Sequence, residues 1–124
     1  MDTRSKILTL REAAALPGTI LIVTGSFDIL RTGHVRELSA LRLHTPDAKL
    51  LAVVLPSPRA PLDQRARAEM VAALRMVDYV MAADHDDVES LIRLLKPAEV
   101  VRLEAAHARL AAQLIEHVHR RQNR

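Results

Sequence analysis

Residues 19–34 read T-I-L-I-V-T-G-S-F-D-I-L-R-T-G-H, and this stretch sets the fold class. Its first six residues, Thr19–Thr24, are rich in β-branched and aliphatic side chains, which is typical of a strand buried on both faces. The polar residues that follow include two glycines and lead into a helix that begins near Gly33. A buried strand, a glycine-containing loop and a helix in this order indicate the first half of a parallel α/β unit.

The rest of the chain continues this alternation. Thr9 and Glu12 have the spacing of a capping box, so a short helix is predicted before the first strand, ended by Pro17 and Gly18. Three further apolar runs predict strands: Leu50–Leu55, Val77–Met81 and Glu99–Leu103.

Helices are predicted between and after these strands. Asp63 is a candidate N-cap for one helix, and Asp86 or Asp87 for the next. Each helix has an apolar stripe at helical spacing. The stripes are Ala66, Met70, Ala73 and Leu74; Val88, Leu91, Ile92 and Leu95; and, in a final helix, Leu110, Ala111, Leu114, Ile115 and Val118.

Alternating strands and helices predict a Rossmann-like α/β fold. We expect a doubly wound parallel sheet of about four or five strands with helices on both faces, because right-handed crossovers place them there. The length of 124 residues is that of one domain, so residues 1–124 are expected to form a single unit.

Composition excludes several classes of protein. The chain has no cysteine, so disulfides, iron–sulfur clusters and thiolate nucleophiles are excluded. Its longest apolar run, Leu50–Leu55, is far short of the ~20 residues that a membrane helix needs, and the N-terminus lacks a signal-peptide core. Only two aromatic residues and an even mixture of charges argue against a nucleic-acid partner. We therefore expect a cytoplasmic protein without a membrane or nucleic-acid partner.

The loop after the first strand is the leading candidate for a ligand site. Ligands of such sheets bind beyond the carboxyl ends of the strands, where the strand order reverses. Gly25 and Gly33 would let backbone amides approach a ligand, and the helix N-terminus favours a phosphate. His34 and Arg31 could donate hydrogen bonds to phosphate oxygens. The alternative is a tight strand–helix turn in which His34 merely caps the helix and Asp28 closes the loop.

This stretch also carries a family resemblance. Residues 23–38, V-T-G-S-F-D-I-L-R-T-G-H-V-R-E-L, resemble the G-x-F-D-x-x-H-x-G-H signature of the cytidylyltransferase-like nucleotidyltransferases. The similarity continues through Arg59–Leu74, Val77–Val80 and Leu91–Pro97. Together these segments are most similar to the adenylyltransferase domain of the bifunctional heptose-phosphate kinase/adenylyltransferase of ADP-heptose synthesis.

The resemblance implies an activity and its partners. Enzymes of this family transfer a nucleotidyl group from a nucleoside triphosphate, with Mg²⁺ as cofactor, to a phosphorylated sugar or alditol and release pyrophosphate. No protein metal ligands are expected, and a homodimer is an expectation because family members often form dimers.

The resemblance also assigns roles to residues of this chain. His34 matches the second motif histidine and would contact the α or β phosphate, with Arg31 in the place of the first. The residues implied to form the nucleotide site are Thr24, Gly25, Ser26, Phe27, Asp28, Gly33 and Arg67. Among them Phe27 would pack beneath the loop, Asp28 would brace it, and Arg67 would contact a phosphate or hold the neighbouring loop.

Departures from the family pattern favour a second hypothesis. Arg31 is longer than an imidazole and never neutral. The lysine-rich loop after the second strand is reduced to Pro56–Pro58, and Arg102–Ala106 replaces a K-G-G-D-Y segment. Residues Val100–His119 contain no Ser or Thr, so the phosphate turn that usually opens the last helix is missing. The alternative is therefore a catalytically degenerate nucleotide-binding or protein-interaction module on the same fold.

Two histidine-containing clusters have simpler interpretations. Asp84–Asp87 resembles a metal-ligand cluster, but such a run is more often a solvated loop that caps a helix. His117 and His119 are two residues apart on a predicted helix, so they diverge and cannot share a metal.

Overall fold

Four parallel strands form one sheet in the order β3-β2-β1-β4. Their bounds are Ile20–Gly25 (β1), Lys49–Val54 (β2), Tyr79–Ala82 (β3) and Glu99–Arg102 (β4). The computed structural model describes residues 2–28, 32–58 and 60–103, with the backbone alone at 32–34. The predicted α/β fold with a parallel sheet is confirmed.

Helices cover both faces of this sheet. They are α1 (Leu10–Ala14), α2 (Thr32–His44), α3 (Gln64–Ala72) and α4 (His85–Leu95), preceded by a 3₁₀ turn at Thr3–Lys6. Residues of α2 and α3 pack with one set of strand side chains, which includes Leu21, Val23 and Ala52. Residues of α1 and α4 pack with the alternate set, which includes Ile22 and Val53. None of the helices in the described ranges is long and apolar enough to cross a membrane.

The strand order reverses at β1. The chain passes from β1 to β2 and β3 on one side, and then returns to place β4 on the other side of β1. Thr24, near the end of β1, is in register with Val53 of β2 and with Arg102 of β4. The carboxyl end of β1 is therefore the topological switch point, where open α/β sheets bind their ligands.

Local signals in the sequence specify several helix ends. The capping box at α1 is confirmed: the Glu12 N–H donates to Thr9 Oγ1 at 3.2 Å, and the Thr9 N–H donates to Glu12 Oε1 at 3.0 Å. The Asp63 cap is confirmed too, because its Oδ1 accepts from the Ala66 N–H at 2.7 Å. The helix ends one turn before Pro17, and Gly18 follows with φ +79°.

The predicted core stripe of α3 is wrong at Met70 and Ala73, whereas Leu74 packs partly buried against the core. Met70 is 40% exposed and Ala73 is exposed, whereas the buried residues of α3 are Arg67, Ala68, Val71 and Ala72. The helix is rotated so that an arginine enters the buried face. Apolar periodicity misses this orientation because it counts a charged residue as a surface residue.

The predicted N-cap of α4 is also wrong. Asp84, not Asp86 or Asp87, caps the helix, since its Oδ1 accepts from the Asp87 N–H at 2.8 Å. Asp86 and Asp87 lie in the first turn, where a negative charge favours the helix dipole. The predicted final helix with Leu110 to Val118, and His117 and His119, lie outside the described residues.

Candidate functional site

The candidate loop lies at the carboxyl edge of the sheet, beside β4. β1 ends at Gly25 and α2 begins at Thr32, so the loop spans residues 26–31. The backbone of Gly33 and His34 belongs to the first turn of α2, which presents its N-terminus at this edge. Arg31 lies outside the described residues, and the roles predicted for Arg31 and His34 stay predictions.

Phe27 folds back over Gly25. Phe27 has a left-handed backbone with φ +50°, and its ring is 5% exposed within the core beside Leu103. A Cβ on Gly25 would meet Phe27 Cε2 at 3.2 Å and Leu103 Cβ at 3.6 Å. Gly25 therefore has a packing reason for lacking a side chain, in addition to the ligand approach predicted from the sequence.

Asp28 and Arg67 form a loose ion pair beneath the loop. Asp28 Oδ1 lies 3.9 Å from Arg67 Nη1, beyond hydrogen-bond distance. The Asp28 side chain is 41% exposed, but this one oxygen is buried and has no hydrogen-bond partner among the described residues. The carboxylate thus faces the guanidinium on one side and solvent on the other.

Arg67 is the most buried charged residue of the described ranges, at 2% exposure. Its Nη1 donates to Leu55 O at 2.8 Å and also to Ser26 O, while its Nε donates to Leu62 O at 3.2 Å. Of the two roles predicted for Arg67, this geometry supports holding the neighbouring loop. In this conformation the guanidinium has almost no surface to offer a phosphate.

Thr24 and Ser26 complete the sequence-predicted set. Thr24 is fully buried within β1, so in this conformation it offers no surface to a ligand. Ser26 is half-buried at the start of the loop, with its carbonyl turned to Arg67. Their contacts with a nucleotide stay predictions.

Gln64 is a residue of this edge that the sequence analysis missed. Its Nε2 donates to Val54 O at 2.9 Å and to Ala83 O at 3.2 Å, so it joins the carboxyl ends of β2 and β3. A signal was available, because the first turn of a helix that follows a strand lies over this edge. A polar residue directly after the Asp63 N-cap was therefore a candidate.

The Mg²⁺ expected to accompany a nucleoside triphosphate stays a prediction. No group of three or more His, Asp or Glu side chains among the described residues is arranged to hold a metal ion. In the Asp84–Asp87 run, Asp84 caps α4 by accepting from the Asp87 N–H. Nucleotide-bound Mg²⁺ needs only one or two carboxylates besides phosphates and water. In the described part of the loop, the half-exposed side chain of Asp28 is the carboxylate that would lie nearest to such an ion.

Comparisons with known proteins point to one family. The profile of the family described as Cytidylyltransferase-like matches residues 22–122. The bifunctional protein HldE of Alcanivorax borkumensis is 32% identical over a match of 110 residues that covers 82% of this chain and 23% of that protein. HldE of Bradyrhizobium diazoefficiens is 40% identical over 88 residues, covering 63% of this chain and 17% of that protein.

One further relative and one solved structure extend the comparison. The FAD synthase of Methanoregula boonei is 34% identical over 84 residues, covering 64% of this chain and 57% of that protein. The crystal structure of the lipopolysaccharide core biosynthesis protein from Thermoplasma volcanium superposes with a TM-score of 0.58 at 24% identity, over 67% of this chain and 73% of that one. This structural match shows the shared fold.

The match is to one part of the larger relatives. The chain spans 23% and 17% of the two HldE proteins, and 57% of the FAD synthase. The family profile nevertheless covers most of the chain, including the loop after β1, the Asp28–Arg67 pair and the strand order that places them together. The chain belongs to the cytidylyltransferase-like family.

Proposed function

We propose that the protein is a nucleotidyltransferase that moves an adenylyl or cytidylyl group from a nucleoside triphosphate to a sugar or alditol phosphate. The observation that carries the proposal is the loop at the switch point of the sheet, which leads directly into the 13-residue helix α2 with His34 in its first turn. A helix N-terminus at this position favours phosphate binding. The family profile that matches residues 22–122 includes this loop, and relatives called HldE and FAD synthase are 32% and 34% identical to the chain over 110 and 84 residues.

The proposed reaction is a single displacement at phosphorus. An oxygen of the acceptor's phosphate attacks the α-phosphorus of the triphosphate and forms a new P–O bond. The bond between the α-phosphorus and the bridging oxygen breaks, and pyrophosphate leaves with that electron pair. Protein groups position the two substrates and stabilise the charge, so no covalent enzyme intermediate is needed.

Different residues of the loop and of α2 would bind different parts of the triphosphate. The free N–H groups of the first turn of α2 would bind the triphosphate, and His34 would donate to an α or β phosphate oxygen. Arg31 would pair with a second phosphate through its planar guanidinium. Mg²⁺ bound with the triphosphate, near Asp28, would neutralise part of the phosphate charge.

A non-catalytic nucleotide-binding or interaction module is the second candidate. Specific features favour it: Arg31 stands where the family motif has a histidine, and Val100–His119 lacks the Ser or Thr of a phosphate turn. Such a module would keep the helix N-terminus as a nucleotide site and lose the turnover. Both candidates would bind a nucleotide, but only the enzyme would release pyrophosphate.

One assay separates these candidates. The protein is incubated with Mg²⁺, with ATP or CTP, and with a panel of sugar and alditol phosphates, and released pyrophosphate is measured. Flavin mononucleotide is included as an acceptor because one relative is an FAD synthase. Release that requires one nucleotide and one acceptor supports the enzyme. Nucleotide binding by calorimetry without release in any combination refutes it and supports the module.

A further inference from the structure

We propose that Arg67 is a positioning residue that couples the two loops on which the substrates would meet. The first loop is residues 26–31 after β1, described at 26–28, and the second is residues 55–63 between β2 and α3, described at 55–58 and 60–63. The assignment of substrates to these loops rests on the proposed function. The mechanical coupling between the two loops does not depend on the proposed function.

The contacts of one guanidinium join the two loops. Arg67 Nη1 donates to Ser26 O of the first loop and to Leu55 O, at 2.8 Å, of the second. Its Nε donates to Leu62 O at 3.2 Å, near the other end of the second loop. One side chain thus holds both ends of the second loop and the start of the first.

The burial of Arg67 explains why it acts through the loops. At 2% exposure the guanidinium has lost its water, and its charge is compensated by three carbonyls and by the Asp28 carboxylate at 3.9 Å. Turning toward a phosphate would break all three bonds and take this donor from the carbonyl of the buried Leu55, and an unpaired buried acceptor is unfavourable. Arg67 therefore remains in place and sets the position of the backbone around it.

The contacts also require an arginine. Its donors point in several fixed directions from a rigid plane, whereas lysine has one compact ammonium. Lysine at this position keeps the charge but cannot reach carbonyls on both loops in the same geometry. We expect Arg67→Lys to leave the two loops less firmly connected while the core positions Ala68 and Val71 of α3 stay buried.

Amide hydrogen exchange on the full chain tests the coupling without any substrate. In Arg67→Lys we expect faster exchange in peptides of both loops, together with unchanged exchange in α4. Arg65→Lys is the matched control, because Arg65 is 62% exposed and pairs only with Glu69 at 3.4 Å among the described residues. In this control variant we expect the exchange rates of both loops to be the same as in the original protein. Faster exchange confined to the second loop would overturn the coupling.

A second variant keeps the test decisive if Arg67→Lys does not fold. Leu62→Gly loosens the second loop at a position that is 40% exposed and leaves the charge of Arg67 in place. Because Arg67 holds Leu62 O and Ser26 O together, we expect faster exchange at residues 26–28 as well. Unchanged exchange there, with faster exchange at 55–63, refutes the coupling.

Kinetics adds a functional measurement once turnover is observed. A misplacement of about 1 Å between reacting groups can lower a rate about 100-fold. We expect Arg67→Lys to lower kcat by about 10- to 100-fold with little change in the KM of the nucleotide. A rise in KM at constant kcat would instead indicate direct nucleotide binding. Absence of turnover in the original protein refutes the proposed function alone, since the exchange result stands independently.

Discussion

The ring of Phe27 covers Gly25 so closely that the site of a Cβ on Gly25 lies 3.2 Å from Phe27 Cε2. We predict that Gly25→Ala destabilises the protein by about 1–3 kcal/mol, because the ring belongs to the core and has little room to move. Urea denaturation measures this loss.

A double-mutant cycle identifies the cause. In a Phe27→Leu background the added methyl has no ring to meet, so the cost of Gly25→Ala should shrink. Equal costs in both backgrounds would show that the ring is not responsible. Gly18→Ala is a useful comparison, because Gly18 has φ +79° and open space around it, so its cost comes from the backbone alone.

The second prediction concerns Asp78, which ties β2 and β3 to α2. Its Oδ2 accepts from the Leu50 N–H at 2.8 Å and lies 3.0 Å from Arg42 Nη1. Both side chains are less than one-third exposed. We expect Asp78→Ala to lower the free energy of unfolding by about 2–3 kcal/mol, since hydrogen bonds to charged groups contribute about 1.5–3 kcal/mol. Urea denaturation is the measurement.

Glu69→Gln is the control for Asp78. Glu69 pairs with Arg65 at 3.4 Å and with Arg4 at 3.9 Å, and all three side chains are exposed, so the loss of both pairs should change the stability by less than about 1 kcal/mol. A loss for Asp78→Ala as small as that of the control would show that the partly buried Asp78–Arg42 bridge contributes little.

The third prediction concerns the pH dependence of the first helix cap. Hydrogen bonds from the Thr9 backbone and side chain hold the pKa of Glu12 below its ordinary value of 4.5. The cap is therefore complete above the unfolded pKa of Glu12, and its contribution is lost as the pH falls through the lower folded pKa. An NMR titration of the Glu12 carboxyl should show this depressed pKa.

Thr9→Ala separates the two sources of the shift. The variant removes the hydroxyl and keeps the backbone N–H, which is the larger cause, so the pKa of Glu12 should rise only partway toward its ordinary value. A full return to that value would assign the whole effect to the side chain.

The fourth prediction tests His34 as a phosphate donor. Removing one preorganised donor from a charged transition state lowers kcat by about 10²–10³-fold. We expect a loss of this size for His34→Ala in the pyrophosphate assay. His44→Ala is the matched control, because His44 is exposed at the opposite end of the same helix. Similar rates of pyrophosphate release for the two variants would show that His34 is not a phosphate donor.

The fifth prediction concerns the residue that departs from the family motif. Arg31→His restores the first motif histidine, which is shorter and able to be neutral. If turnover is present, we expect the variant to release pyrophosphate faster at saturating substrates. A slower variant would show that the arginine has taken over a phosphate contact of its own.

Short-range patterns in the chain specified much of the fold. The apolar runs that form β1 and β2 are buried because these central parallel strands are covered on both faces, whereas β3 and β4, at the edges of the sheet, are buried only in part. Caps at Thr9 and Asp63 form because their side chains bond to amides within three residues. Such signals depend on neighbours in sequence, so they can be recognised before folding.

Contacts between distant segments could not be recognised in that way. Arg67 reaches Ser26, 41 residues away, and Gln64 joins carbonyls of two strands. The inward rotation of α3 follows from these contacts, since the buried arginine is compensated only when three loop carbonyls surround it. Local periodicity therefore specified the strands and helices, whereas long-range hydrogen bonding determined which charged side chain is buried beneath the site.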